Sequence, residues 1–194
     1  MNLWDWKAIF YDSRRKIFPF SLILRSEIEN LEELISKIHL NDKKILDVGT
    51  GTGSVLELFP NTCSVFAADS SFRMIQQARQ KRSVKFVVAD SAMLPFKSYS
   101  FHLITAVGLF EYQKNWSGFL HELKRIMDPK GFIIVTYSQK IPLNFLRLLL
   151  GHKIYLMTYK KFVPLLGLCG FAVMLVKKSL LQRQVLIYQN AKKI

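Results

Sequence analysis

The stretch that most constrains this chain is Lys43-Lys44-Ile45-Leu46-Asp47-Val48-Gly49-Thr50-Gly51-Thr52-Gly53-Ser54. A short apolar run closed by an acid, then glycine at every second position, reads as a buried parallel strand feeding a tight loop whose backbone approaches a ligand closely. That predicts a site for a nucleotide-like cofactor. A dinucleotide loop needs G-x-G-x-x-G, and its third glycine would fall on Ser54. Here the glycines alternate instead.

Two further strands end in acids. Ser64-Val65-Phe66-Ala67-Ala68-Asp69 places a carboxylate twenty positions after Gly49. At the tip of a second strand such a group can accept both hydroxyls of a ribose, whereas a helix-capping aspartate is the plainer reading. Ser70 or Ser71 then caps a helix whose Met74, Ile75 and Ala78 face inward. Val84-Lys85-Phe86-Val87-Val88-Ala89-Asp90 repeats the pattern of a strand closed by an acid.

With Leu-Asp-Val ahead of it, G-x-G-x-G resembles the first motif of class I S-adenosylmethionine-dependent methyltransferases. Ser91-Ala92-Met93-Leu94-Pro95-Phe96-Lys97-Ser98-Tyr99-Ser100-Phe101, taken with Asp90, resembles the family's D-A-x-x-L-P-F-x-x-x-S-F-D segment. His102 stands where the family has its last aspartate and reads as structural. Leu123 to Val135 resembles L-x-R-v-L-k-P-G-G-x-l-i-v, with Lys130 replacing the first glycine, and Gly170-Phe171 resembles the a-G-F entry to a late strand.

These ordered matches, over residues 43 to 176, imply the small-molecule type of the family. The implied fold is α/β: a Rossmann-like seven-stranded, mostly parallel sheet with helices on both faces and an antiparallel last strand. The implied cofactor is S-adenosylmethionine, with its methionine end on the glycine loop, its ribose at Asp69, and its adenine edge at Asp90 and Ser91 or Ala92. The implied binding set is Asp47, Gly49, Thr50, Gly51, Gly53, Asp69, Ser70, Met74, Asp90, Ser91 and Val107.

Gly108-Leu109-Phe110-Glu111-Tyr112 follows the fourth strand, at the edge where open α/β sheets bind ligands. It lacks the Pro-Pro-aromatic signature of enzymes that methylate nucleobase or glutamine amino groups. Neither Cys63 nor Cys169 is placed as the nucleophile of a cytosine C5 enzyme. Glu111 or Tyr112 could be a general base or a substrate contact, or could simply pack, so the catalytic residue stays unassigned. Tyr11, Phe110 and Leu146 are the substrate-side candidates. No metal-ligand spacing occurs.

The remaining chain reads as one domain over 1–194. Residues 1–40 form an aromatic and basic lid segment and a helix, the latter over 27–39 behind a Ser26 to Glu29 capping box. Residues 43–137 carry the cofactor core. Residues 138–170 supply an apolar substrate-side insertion and a helix over about 158–168 with Pro164 inside it. Residues 171–194 hold the final strands, at 171–176 and 184–189, with Lys177-Lys178 as the loop between them.

Lys and Arg total 28 against 14 acids, a net charge of +14 that calls for an anionic neighbour. Membrane phospholipid, RNA and an acidic substrate all qualify. The leading expectation is methylation of a small apolar or membrane-associated acceptor, quinone-like or lipid-like. An RNA methyltransferase and a non-catalytic cofactor-binding module are the alternatives, and nucleic acid ranks behind the small molecule. Without a secretory signal or a long uncharged apolar run, the expected location is the cytoplasm, with contact at a membrane surface left open and oligomeric state unread.

Overall fold

The computed structural model describes residues 20–149 and 153–190, with side chains placed for 22–145 and 153–190. Its strands are β1 (Lys44–Val48), β2 (Ser64–Asp69), β3 (Lys85–Val88), β4 (Phe101–Ala106), β5 (Met127–Ser138), β6 (Phe171–Lys178) and β7 (Gln182–Gln189). They form one sheet in the order β3-β2-β1-β4-β5-β7-β6. All neighbours are parallel except β7, which runs antiparallel to both β5 and β6. The order reverses between β1 and β4, so the crevice for a ligand lies at their carboxyl ends.

Alternation of side chains along the central strands explains why both faces need covering. Ile45, Leu103, Ile134 and Leu186 point to one face and join Leu31, Leu34 and Ile35 of α1 (Phe20–Ile35) and Ala78 of α2 (Phe72–Lys81). Leu46, Ile104, Ile133 and Ile187 point to the other. They meet Phe119, Leu120 and Leu123 of α3 (Trp116–Ile126) and Phe162 and Leu166 of α5 (Tyr159–Leu168). Each such buried side chain contributes about 1.5–3 kcal/mol relative to exposure. The resulting sheet and helices form the Rossmann-like, mostly parallel seven-stranded arrangement with antiparallel last strands.

Local signals placed several boundaries wrongly. The first helix already includes Phe20 and ends at Ile35, short of the expected 39, so Ser26 is exposed inside α1 and does not cap its start. After the glycine loop the chain forms only a single 3-10 turn, Leu56–Leu58, before β2. Arg82 donates to the carbonyls of Leu56, Phe59 and Pro60 and holds that turn down. Asp128 to Gly131 is a bulge inside β5, because Phe101 pairs with Met127 and Leu103 already with Phe132. Lys177 and Lys178 belong to β6, paired with Gln184 and Arg183, and Ser179 to Leu181 make the turn. Asn115 caps α3, its Oδ1 accepting from the Gly118 amide at 2.9 Å. His102 accepts from the Lys44 amide through Nδ1 at 3.2 Å, at the amino end of the strands and remote from the crevice, as a structural residue would.

Candidate functional site

The glycine loop turns where β1 ends. Gly49, Gly51 and Gly53 have φ of +69°, +53° and +82°, conformations L side chains rarely adopt. Each has its own surroundings. A Cβ on Gly53 would sit 3.0 Å from that of Ala78, so this glycine lets α2 pack against the loop. A Cβ on Gly51 would meet nothing nearer than 4.0 Å and would project into space a ligand can use. Gly49 and Thr50 both donate to the Ala68 carbonyl, at 2.8 and 3.1 Å, which fastens the loop to β2.

Asp69 closes β2. Its Oδ2 accepts from the Gly51 amide and its Oδ1 from the Ser71 amide, each at 2.8 Å. One carboxylate thereby joins the loop to the cap of α2, where Ser71 Oγ accepts from the Met74 amide at 3.2 Å. Each carboxylate oxygen can accept more than one hydrogen bond, so acceptor capacity remains for a hydroxyl. Asp90 lies beyond β3, its Oδ1 accepting from the Ala92 amide at 2.9 Å.

These residues surround a cavity of about 350 Å³ at the switch point. Gly49, Gly51, Asp69, Ser70, Met74, Asp90, Ser91 and Val107 all line it. Its size is at the lower end of cofactor pockets. Two carboxylates at neighbouring strand tips, an open glycine loop and the apolar floor of Met74 and Val107 suit an adenosine group. A second cavity of about 50 Å³ lies on the other side of the loop, with Thr50 in its lining and Leu24, Glu27, Ile28 and Leu31 of α1 above it.

Residues 46–135 match the family described as Methyltransferase domain. A demethylmenaquinone methyltransferase of Thermotoga maritima is 30% identical over 171 residues, 86% of this chain and 72% of that protein. The chain belongs to the class I S-adenosylmethionine-dependent methyltransferases. A second demethylmenaquinone methyltransferase, from Thermus thermophilus, is 27% identical over 81% of this chain and 71% of its own. Among solved structures, the magnesium protoporphyrin IX methyltransferase of Synechocystis PCC 6803 with bound SAH shares the fold. Its TM-score is 0.74 at 18% identity, covering 87% of this chain and 84% of that one. So does a chain in the complex of the Haloferax volcanii Trm112 methyltransferase activator with a methyltransferase, with a TM-score of 0.80 at 16% identity over 98% of this chain and 99% of that one.

Asp47 of this methyltransferase lies beneath the loop and lines neither cavity. It is 1% exposed, and burial pushes its carboxyl up to about 6 against the opposing pull of the Thr105 hydroxyl. Thr105 Oγ1 donates to Asp47 Oδ1 at 2.6 Å, and the Thr50 hydroxyl also pulls this carboxyl down. Gly53 also stands back from the cavities, as a packing position.

At the far wall, Val107, Gly108, Leu109, Tyr112 and Gln113 border the larger cavity. The Gly108 amide donates to Thr136 Oγ1 of β5 at 2.6 Å, which fixes that wall. Glu111 does not reach the cleft surface: it is buried, its Oε2 accepting from Ser138 Oγ at 2.5 Å. Phe110 is likewise a core residue, stacked on Trp116 with ring centroids 5.8 Å apart and edge-on to Phe162 at 5.3 Å. Neither placement suits a group that touches substrate. Tyr11 and the side chain of Leu146 lie outside the described residues.

The sequence reading placed the loop carrying Leu109 at this edge without singling that residue out, and it missed Gln113, which carries no motif of its own. It also missed a clamp on the loop after Asp90. Glu122 Oε1 accepts from the Leu94 amide at 2.7 Å, while Arg125, paired with Glu122, donates to the carbonyls of Phe96 and Leu94 at 2.8 and 3.0 Å. The three-residue spacing on α3 was the available signal. Among the described residues no group of three His, Cys, Asp or Glu could hold a metal ion, and no helix is long and apolar enough to cross a membrane.

Proposed function

We propose that this methyltransferase methylates a small apolar acceptor, quinone-like or lipid-like, and that the switch-point cavity holds the cofactor. In this reading Asp69 accepts the ribose hydroxyls, and Asp90 and Ser91 meet the adenine edge. The backbone of the glycine loop cradles the methionine end. S-adenosylmethionine supplies a sulfonium methyl that is already electrophilic, so transfer needs a nucleophile held in line and stripped of water. Approximation can then provide most of the rate, on the scale of several kcal/mol.

The observation that carries the acceptor reading is the chemistry of the far wall. Val107, Gly108 and Leu109 are apolar, and the one titratable side chain they share it with is Tyr112. An apolar ring or chain would pack there without leaving a charge unpaired. The names of the two demethylmenaquinone methyltransferase relatives point the same way. Tyr112 is the group assigned to relay the proton of an acidic acceptor hydroxyl, passing its own phenolic proton to solvent as it accepts the acceptor's.

The test is transfer from methyl-labelled S-adenosylmethionine into a cell extract fractionated into organic-soluble, aqueous small-molecule, RNA and protein pools. Label in the organic pool is expected, and label confined to RNA would overturn the acceptor class. With the acceptor in hand, Tyr112→Phe should lower kcat by about 10²-fold while cofactor affinity holds. An unchanged kcat would remove Tyr112 from the chemistry and leave approximation alone.

A further inference from the structure

The cationic excess is not spread over the chain. After Asp128 the sequence contains no Asp or Glu, while residues 129–194 carry eleven Lys and Arg. Exposed apolar side chains gather in the same third. Leu143 (43% exposed), Phe145 (42%), Tyr155 (40%), Tyr159 and Leu180 (59%) are among them.

Backbone hydrogen bonds draw these five into one face. Leu143 and Phe145 lie on α4 (Pro142–Leu149), on either side of the buried Asn144, whose Nδ2 donates to the carbonyls of Gln139 and Leu181 at 2.8 Å. That seats α4 on the β6–β7 turn, next to Leu180. The Lys140 amide donates to the Met157 carbonyl at 3.2 Å, bringing in the segment that carries Tyr155 and leads to Tyr159. Arg183, at the start of β7, lies 4.9 Å from the Tyr159 ring centroid. All of this is at the carboxyl edge of the sheet. It adjoins the acceptor wall directly, since the Tyr155 amide donates to the Glu111 carbonyl at 2.7 Å. Lys140, Lys153, Lys160 and Lys161 are exposed on the same segments.

We propose that this lysine-rich edge, from Leu143 and Phe145 of α4 through Tyr155 and Tyr159 to Leu180, docks the enzyme on an anionic phospholipid surface, presenting the acceptor wall to the bilayer. Aliphatic side chains enter the headgroup boundary, tyrosines lie at that level, and lysines face anionic headgroups. RNA offers the same negative charge but no apolar phase to take Leu143, Phe145 and Leu180, so a bilayer satisfies both halves of the face. The proposal rests on the apolar-acceptor reading, because a membrane-resident acceptor gives the docking its use.

Vesicle flotation with the 194-residue chain tests it, using phosphatidylcholine alone and phosphatidylcholine with a third phosphatidylglycerol. The protein should float with the anionic vesicles and stay behind with the neutral ones. Lys160→Ala/Lys161→Ala should weaken the partition by about tenfold or more. Leu143→Ser/Phe145→Ser should weaken it comparably at a salt concentration that screens the charges. Both variants should bind S-adenosylmethionine like the parent, which shows that the fold and the cofactor cavity are intact. Equal binding to both vesicle types, no binding to either, or partition unaffected by both variants would overturn the docking face. Failure here with label still in the organic pool sinks the docking alone, whereas flotation with label confined to RNA sinks the acceptor class.

Discussion

The two ends of the sheet solve different problems. Around β1, β2 and β3, strand tips carry acids and each is already engaged: Asp69 by two amides, Asp90 by one, Asp47 by Thr105. Around β5, β6 and β7, no acid follows Asp128, and apolar side chains stand in water. The first end is built to hold a polar ligand with fixed groups, its strand-tip acids tied to the chain's own amides and hydroxyl. The second leaves Lys140, Lys153, Lys160 and Lys161 and its apolar side chains exposed, for something outside. Substitutions of the exposed side chains at the second end should therefore cost neither cofactor binding nor stability, whereas those of Asp69 and Glu122 at the first should cost cofactor binding.

The largest effect is expected at Asp69. Asp69→Ala removes the acceptor of both the Gly51 and Ser71 amides as well as the group assigned to the ribose. Charge-assisted hydrogen bonds of this kind are worth about 1.5–3 kcal/mol each, so cofactor affinity by calorimetry should fall by about 10²–10³-fold. Near-parental affinity would mean that the cofactor sits elsewhere, and the contrast between the two ends would lose its basis.

Asp47 sharpens the comparison through pH. Its carboxyl is raised from an ordinary 3.8 to about 6 in the folded chain, chiefly by burial. The unfolded chain therefore ionises first, and the folded state loses stability as pH climbs from about 4 to about 6, keeping the full penalty above that window. The penalty is on the order of 2–3 kcal/mol. Asp47→Asn keeps an acceptor for Thr105 and removes the charge, so urea unfolding should become flatter across this window and the variant should be the more stable at pH 7. A parent already flat across it would show that the carboxylate is satisfied by a partner in solution.

Glu122 tests the clamp on the loop beyond Asp90. Its carboxyl is held below the usual range, first by the hydrogen bonds from Arg125. Glu122→Gln preserves shape but loosens Arg125 from the Leu94 and Phe96 carbonyls. The expected cost is about 1 kcal/mol, read as a roughly fivefold weaker cofactor affinity. Unchanged affinity would make the clamp a purely structural feature of α3.

Much of the cofactor end was legible because the backbone itself demands particular residues there. Positive φ at Gly49, Gly51 and Gly53 admits little else, and the strand-tip acids fall at fixed offsets. Errors arose where distant pairing decided the outcome. Lys177 and Lys178 look like a loop, yet on the edge strand β6 their side chains can stay at the surface while the backbone pairs with β7, and Lys177 forms an ion pair with Glu33 of α1. Nothing near Glu111 says that Ser138, 27 positions later, will take its carboxylate inward. The Ser26 capping pattern is short, and α1 overrides it by running on from Phe20, with Leu24 reaching the small cavity beside the glycine loop.

The smallest effect is expected on α4, where three consecutive residues divide the roles. Asn144 is fully buried and bonded to two carbonyls, so Asn144→Ala should destabilise the fold measurably by leaving both acceptors short of a donor. Its neighbours Leu143 and Phe145 are exposed. Leu143→Ser and Phe145→Ser should each stay within about 0.5 kcal/mol of the parent in urea unfolding, as surface substitutions do. If either proved as costly as Asn144→Ala, that side chain would be packing against another part of the chain, and this edge would be a second core rather than a face awaiting a partner. If both are silent in stability yet weaken vesicle binding, the apolar surface is kept for the bilayer. The two ends of the sheet would then differ in what completes them: a cofactor at one and a lipid phase at the other.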